Sequence, residues 1–319
     1  SSRGNRGFFG SVPQMGVTVG MLLGTLALTA VSQLSEADFL SWGWRIPFIL
    51  SFVVIAVAYV IRREVDETPA FAAEAERGAV PRTPVLEAFR FHWDDMLRVI
   101  CCSLMNVIAV VATIFGAAYA VQPAYGIGFS KDVYLWIPVI GNVIAVLIIP
   151  VVGNLSDRIG RRPFIIAGAL GSGLLSYAYL YAISIHNVPL AICMSLLMWG
   201  VVYQGYNAVF PSFYPELFPT RARVSAMAIS QNIGTMITAM LPALFASVAP
   251  PGSTNIPLVI GTLTLVTTSI AAIAAFSARE TYRVALKDLG NRGAVPADKS
   301  EYDHQREVVI SQSRWRKAA

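Results

Sequence analysis

The chain has 319 residues, of which 55% are hydrophobic and only 13% charged, and its mean hydropathy is +0.59. That is more apolar surface than a water-soluble fold of this length can hide, and it points to a multi-spanning membrane protein. The net charge of +5 does not argue for nucleic acid, because the arginines sit in short loops between apolar runs and form no single stripe.

In chain order, the opening SSRGNRG is too short and too polar for a signal peptide. Apolar runs of about 20 residues, the length that crosses a hydrocarbon core of roughly 30 Å, then follow at 12–34 and 44–61. A polar connector occupies 62–96, with a short amphipathic surface helix expected around Glu87 to Asp95. Six further runs lie at 97–121, 133–152, 164–184, 188–210, 224–248 and 256–278. Barrel strands are short and alternate in polarity, whereas these runs are long and do not alternate, so all eight are helices with internally bonded backbones. The fold class is an all-α integral membrane bundle.

Arg45 and Lys131 fall on one side of this arrangement, and the remaining basic residues on the other. The positive-inside bias makes the crowded side cytoplasmic and places both ends of the chain there. Residues 279–319 are polar, of mixed charge and interrupted by Gly290, Gly293 and Pro296, a composition that predicts disorder and is too broken for a coiled coil.

Cys101, Cys102 and Cys193 all lie in spans and read as small core residues, and His92, His186 and His304 are scattered. No metal site is expected. The sequence has no phosphate-binding G-x-x-x-x-G-K-[ST] loop, which excludes direct ATP-driven work by this chain, and no cofactor or enzymatic constellation is visible.

Two loops carry chemistry. Gly153 to Arg162, GNLSDRIGRR, lies between spans four and five and reads as a tight turn. Gly153 and Gly160 supply conformational freedom or close approach, while Arg158, Arg161 and Arg162 stay at headgroup level. Asp157 can accept from an arginine or sit at a helix N-terminus, where a carboxylate gains about 0.3–1 kcal/mol, and up to about 2 when partly buried. Pro215 to Arg223, between spans six and seven, combines helix-stopping Pro215 and Pro219 with Glu216, Arg221 and Arg223. For both loops, plain anchoring charge is the alternative to a moving contact.

Polar residues inside spans are the substrate-site candidates: Asn106, Tyr119, Asn142, Tyr203, Asn207, Gln231 and Asn232, with Gln122, Gln204 and Tyr206 beside them. Each is equally readable as a helix-to-helix hydrogen bond. Tyr203 and Asn207 are four apart, on one face of a regular helix, and are expected to face a cavity together with Asn106. No span holds an Asp, Glu, Lys or Arg near its middle.

The pattern G-x-x-x-D-R-x-G-R-R over 153–162 resembles the loop signature of the major facilitator superfamily of transporters. The string P-E-L-F-P-T-x-x-R over 215–223 is similar to the matching loop of its metabolite:proton symporter family, which includes carriers of proline and betaine, shikimate, citrate and 2-oxoglutarate. Arg6-Gly7 with Gly10-Ser11 and Gln14, Trp44 to Phe48, Glu67-Thr68-Pro69 with Phe71, and Arg279-Glu280-Thr281 agree with that family, so the resemblance reaches to about residue 285.

The resemblance implies a monomeric carrier in the plasma (inner) membrane that moves a small organic acid or zwitterion with a proton by alternating access. A drug/proton antiporter of the same superfamily and a non-transporting nutrient sensor are the rivals. Two spans before the connector and six after it lead to the expectation that 1–61 are the last two helices of an N-terminal half, that 97–278 are a complete C-terminal half, and that four helices precede this chain. By the same resemblance the decapeptide is the second of two copies, Asp157 faces the start of span one near Phe8 to Ser11, spans three and six line the central path, and the proton-coupling carboxylate lies outside this chain.

Overall fold

A computed structural model of the chain describes residues 4–64, 89–220 and 222–318, without the side chains of 64, 309, 310 and 312–318. Most of the connector, the Glu67-Thr68-Pro69 string and Arg221 lie outside the described residues.

Among the described residues eight helices are long and apolar enough to cross a membrane: α1 (Arg6–Val31), α2 (Glu36–Arg63), α3 (Trp93–Val121), α4 (Lys131–Ile159), α5 (Arg161–Ser184), α6 (Val188–Glu216), α7 (Arg223–Val248) and α8 (Ile256–Ser277). Several run one or two turns past their apolar runs. Backbone hydrogen bonding carries a helix through polar residues where no breaker intervenes, so α1 starts at Arg6 and α4 reaches Ile159.

The tight turn expected of the decapeptide narrows to a single residue. Residues up to 159 complete α4, α5 begins at Arg161, and Gly160 alone makes the break, at φ +124°, where an L side chain is strained. Of the surface helix expected over Glu87 to Asp95, residues 89–91 are helical and Trp93 already belongs to α3.

α1 lies along α4, α5 along α8, and α7 and α8 pack on α3, while α4 also contacts α6. α2 is exposed from 48 to 63, an apolar surface suited to lipid. The α1–α4 approach depends on small residues. A Cβ on Gly7 would lie 2.5 Å from both Gly153 O and Ser156 Oγ, and one on Gly153 would lie 2.5 Å from Ser11 Oγ. Gly7→Ala is expected to push the helices apart at a cost of about 1–3 kcal/mol, read as a lower thermal unfolding midpoint in detergent. An unchanged midpoint would show that the contact yields freely.

Three of the described membrane helices depart from α geometry. α2 contains a π-helical stretch at Phe39–Gly43, α3 one at Val110–Phe115 and α6 one at Leu196–Val202. Such turns free backbone carbonyls, which must find other donors away from water. Ala112 O accepts from Tyr134 Oη at 2.6 Å and from Tyr179 Oη at 3.4 Å, and Trp199 O accepts from Gln204 Nε2 at 2.7 Å.

The tail does not have the disorder its composition predicts. Residues 279–298 cross the end of the bundle that carries the charged loops, and α9 (Lys299–Ala318) follows, with Tyr302 and Arg306 buried. Gly290, at φ +81°, lies against the backbone of Phe218 and Pro219 with no room for a Cβ, so the glycine that reads as a breaker is what permits the contact. Arg306 donates from Nε to Gly4 O at 3.0 Å and from Nη2 to Asn154 Oδ1 at 2.6 Å, joining α9 to the approach of α1 and to α4. Hydrogen bonds from a charged donor contribute about 1.5–3 kcal/mol. Arg306→Ala should therefore raise amide exchange over 299–308 well above the parent's, and equal exchange would show the tail is held by other contacts.

Candidate functional site: a buried charge network at one end of the bundle

The charges that cannot enter hydrocarbon cheaply collect where α1, α5 and α7 begin and α4 and α6 end. Arg161 and Asp157 are both 0% exposed, and Arg161 Nη1 lies 2.9 Å from Asp157 Oδ1, one helical turn back across the Gly160 break. The same guanidinium donates to Ser156 Oγ at 2.7 Å and faces Glu216 at 3.4 Å.

Asp157 also reaches another helix. Its Oδ1 accepts from Gly7 N at 2.8 Å and its Oδ2 from Phe8 N at 3.0 Å. These are N–H groups of the first turn of α1, whose N-cap Asn5 gives no side-chain cap. The carboxylate thus caps a helix distant in sequence, with the favourable end of the helix dipole facing it.

Glu280 does the same for α5. It accepts from Arg161 N at 2.9 Å and Arg162 N at 3.1 Å, where Gly160 supplies no side-chain cap. Glu216 lies between two cations, with Arg6 Nη1 at 3.5 Å and Arg161 Nη2 at 3.4 Å, and accepts from Thr281 Oγ1. Arg6 Nη2 donates to the carbonyls of Thr281, Tyr282 and Val284. Tyr302 Oη donates to Asp157 O at 3.0 Å. Burial pushes the Tyr302 hydroxyl up to about 12, so it keeps its proton, and this contact, throughout the physiological pH range.

The network thus joins α1, α4, α5, α6 and the tail through nearly dry ion pairs. It can hold helix ends together firmly. Once a partner leaves, an unpaired buried charge remains, so breaking a pair from one side is costly.

Of the loop residues singled out from sequence, Gly153, Asp157, Gly160, Arg161 and Glu216 meet in this network. Arg162 lies beside it, donating from Nε to Ala275 O at 3.1 Å and from Nη2 to Phe276 O. Arg223 is half-buried and donates from Nε to Phe218 O at 3.3 Å. Arg158 is exposed and outside the network.

The in-span polar residues fall in separate places. Asn142 accepts from Trp199 Nε1 at 2.9 Å, Trp199 stacks on Tyr203 with ring centroids 4.8 Å apart, and Asn207 donates to Gln204 Oε1 at 2.8 Å. Asn106 instead donates to Thr235 Oγ1 of α7 at 3.1 Å. Tyr203 and Asn207 remain one helical turn apart, with Asn207 N donating to Tyr203 O at 3.1 Å, and it is Asn106 that lies apart from them. Tyr119 lines a cavity of about 560 Å³ at the opposite end, with Tyr177, Tyr181 and Asn255. Asn232 is exposed on α7 and donates back to Ala228 O, while Gln231 beside it is half-buried.

Sequence reasoning missed Trp199, Tyr134 and Tyr179. A tryptophan or tyrosine in an apolar span gives no signal until a partner is seen. Arg6 and the Arg279-Glu280-Thr281 string stood only as family markers, and their pairing partners lie from 62 to 278 residues away.

Comparison with known proteins agrees with this architecture. The family model described as Major Facilitator Superfamily matches residues 1–229 and again 107–316. The glycine betaine/proline/ectoine/pipecolic acid transporter of Dickeya dadantii is 32% identical over 255 residues, covering 76% of this chain and 50% of its own length. The proline/betaine transporter of Escherichia coli K12 gives the same identity and coverage. The Escherichia coli shikimate transporter is 26% identical over 239 residues, covering 74% of this chain and 54% of its own. The chain spans about half the length of the curated relatives it matches. A solved proton:xylose symporter superposes with a TM-score of 0.64 at 18% identity, covering 88% of this chain and 66% of that one, a likeness of fold.

Proposed function

This chain belongs to the major facilitator superfamily, and from that premise we propose that it serves secondary transport of a small organic acid or zwitterion, coupled to protons, by alternating access in the plasma (inner) membrane. Residues 97–278 act as one six-helix unit, and α1 docks against it through α4. The charged end faces the cytoplasm, in keeping with the positive-inside bias, so both ends of the chain are cytoplasmic. The working protein is a monomer whose substrate crosses near the bilayer midplane.

The observation that carries this reading is Asp157, which holds the first N–H groups of α1 on one side and Arg161 on the other. Rocking of α1 away from α4 must break the first contact and leave the second. The network is thereby a latch whose energy differs between two arrangements, which is what a carrier needs in order to bias its equilibrium. The substrate class rests on relatives named for betaine, proline and shikimate transport. Asn142, Trp199, Tyr203 and Asn207 are the residues proposed to shape the substrate wall.

The test is uptake of labelled glycine betaine, proline and shikimate into vesicles holding the protein, with and without an inwardly directed proton gradient. Accumulation that collapses when the gradient is dissipated supports the proposal. Gradient-driven expulsion of apolar cations would assign the protein to the antiporters, and substrate binding without flux would make it a sensor.

A further inference from the structure

Four helices, α1, α3, α5 and α7, begin at the charged end; α3 has Asp94 and Asp95 in its own first turn, and α1 and α5 are capped by carboxylates borrowed from elsewhere, Asp157 and Glu280. α7 is not. Its N-cap is Ala222, which offers no side chain, and its first turn contains no acid. The positive end of this helix opens beside a cleft of about 300 Å³ lined by Arg6, Ser212, Glu216 and Arg223, with Phe9 and Leu289 on its apolar wall.

Both arginines bring spare donors. Arg6 is 7% exposed; its Nη2 is used on three carbonyls, but Nε and Nη1 make no hydrogen bond, although Nη1 lies 3.5 Å from Glu216 Oε1. Arg223 Nη2 is likewise buried without a hydrogen-bond partner. A buried guanidinium nitrogen left unsatisfied is costly, and in native proteins such an atom usually marks an unseen water or ion. Among the described residues Glu216 is the one acid lining the cleft and is already held by Arg161 and Thr281, so Arg6, Arg223 and Glu216 together leave one positive charge.

We propose that this cleft binds a phosphate group, held by Arg6 and Arg223 at the start of α7. Phosphate fits better than carboxylate because its greater charge and three free acceptor oxygens can serve two guanidinium groups and a helix end together. Each arginine heads a membrane-crossing helix, which puts the cleft at headgroup depth, so the phosphate comes either from solution or from an anionic phospholipid. Bound there, it ties the start of α1 to the start of α7.

The test follows the thermal midpoint of the purified protein in an uncharged detergent as sodium phosphate is titrated against sodium chloride of matched ionic strength. A saturable rise with phosphate alone is expected, with the half-saturating concentration raised about tenfold or more in Arg223→Gln and less in Arg223→Lys, which keeps a donor and the charge. The same measurement in nanodiscs of phosphatidylglycerol and of phosphatidylcholine distinguishes the sources. Stabilisation by phosphatidylglycerol that abolishes the phosphate response assigns the site to the headgroup, and a response to phosphate alone assigns it to the diffusible ion. Equal effects of phosphate and chloride, or equal phosphate responses in the parent and Arg223→Gln, would overturn the site.

Discussion

Asp157→Asn is expected to slow transport about tenfold or more while the protein still inserts into the membrane in normal amount. The carboxylate presents one oxygen to each of two converging N–H groups, Gly7 and Phe8, and shares Oδ1 with Arg161. An asparagine of the same shape has one acceptor oxygen and must turn its amide hydrogens toward a donor. Losing a charge-assisted hydrogen bond costs about 1.5–3 kcal/mol, and that loss falls only on the arrangement in which α1 is docked. Since a tenfold population change corresponds to about 1.4 kcal/mol, the docked state would fall by one to two orders of magnitude. Initial rates of labelled betaine uptake, normalised to protein in the membrane, measure this. Parental rates in Asp157→Asn would remove the residue from the mechanism.

Arg161→Gln should affect stability most. The guanidinium is fully buried between Asp157 and Glu216, and removing it takes the cation from the buried Asp157 carboxylate and leaves Glu216 with Arg6 alone. Breaking a buried pair from one side costs about 3–5 kcal/mol, which for a protein of this size lowers the thermal midpoint by about 10 °C or more. Adding Asp157→Asn to Arg161→Gln removes the orphaned charge and should recover part of the loss, although each substitution alone is destabilising. If the double variant instead melts lower, by the sum of the single losses, the two residues are not coupled and the network is only a set of neighbours.

How far this could be read from the sequence differs from place to place for physical reasons. The eight helices are written in uninterrupted apolar runs, because a bilayer demands length and hydrophobicity and little else. Their ends are not, because polar residues such as Arg6 and Glu216 can continue a helix past the hydrocarbon, and only a break such as Gly160 stops it. The π turns left no trace in the hydropathy pattern, and the pairing of Asn106 with Thr235, away from Tyr203 and Asn207, is a long-range contact that no periodicity encodes.

The tail misleads most. Gly290 and Pro296 carry the composition of a disordered segment, yet Gly290 makes a close backbone approach that any side chain would block. Arg279-Glu280-Thr281, legible only as a family string, proves to hold three charged-end contacts: Arg279 with Asp95 at 2.9 Å, Glu280 with the start of α5, and Thr281 with Glu216. Such long-range partners become visible only when the chain is folded.

The claim that α1 and α4 separate during transport is tested most directly by tying them together. Phe8 and Arg158 flank the Asp157 contact and are both exposed, so cysteines placed at the two positions, with exposed Cys193 replaced, can be joined by a short cross-linker that dithiothreitol cleaves. Uptake of labelled betaine into vesicles is then measured before and after cleavage. The account predicts no uptake while the link is intact and restored uptake once it is cut. Equal uptake in the two conditions would contradict it.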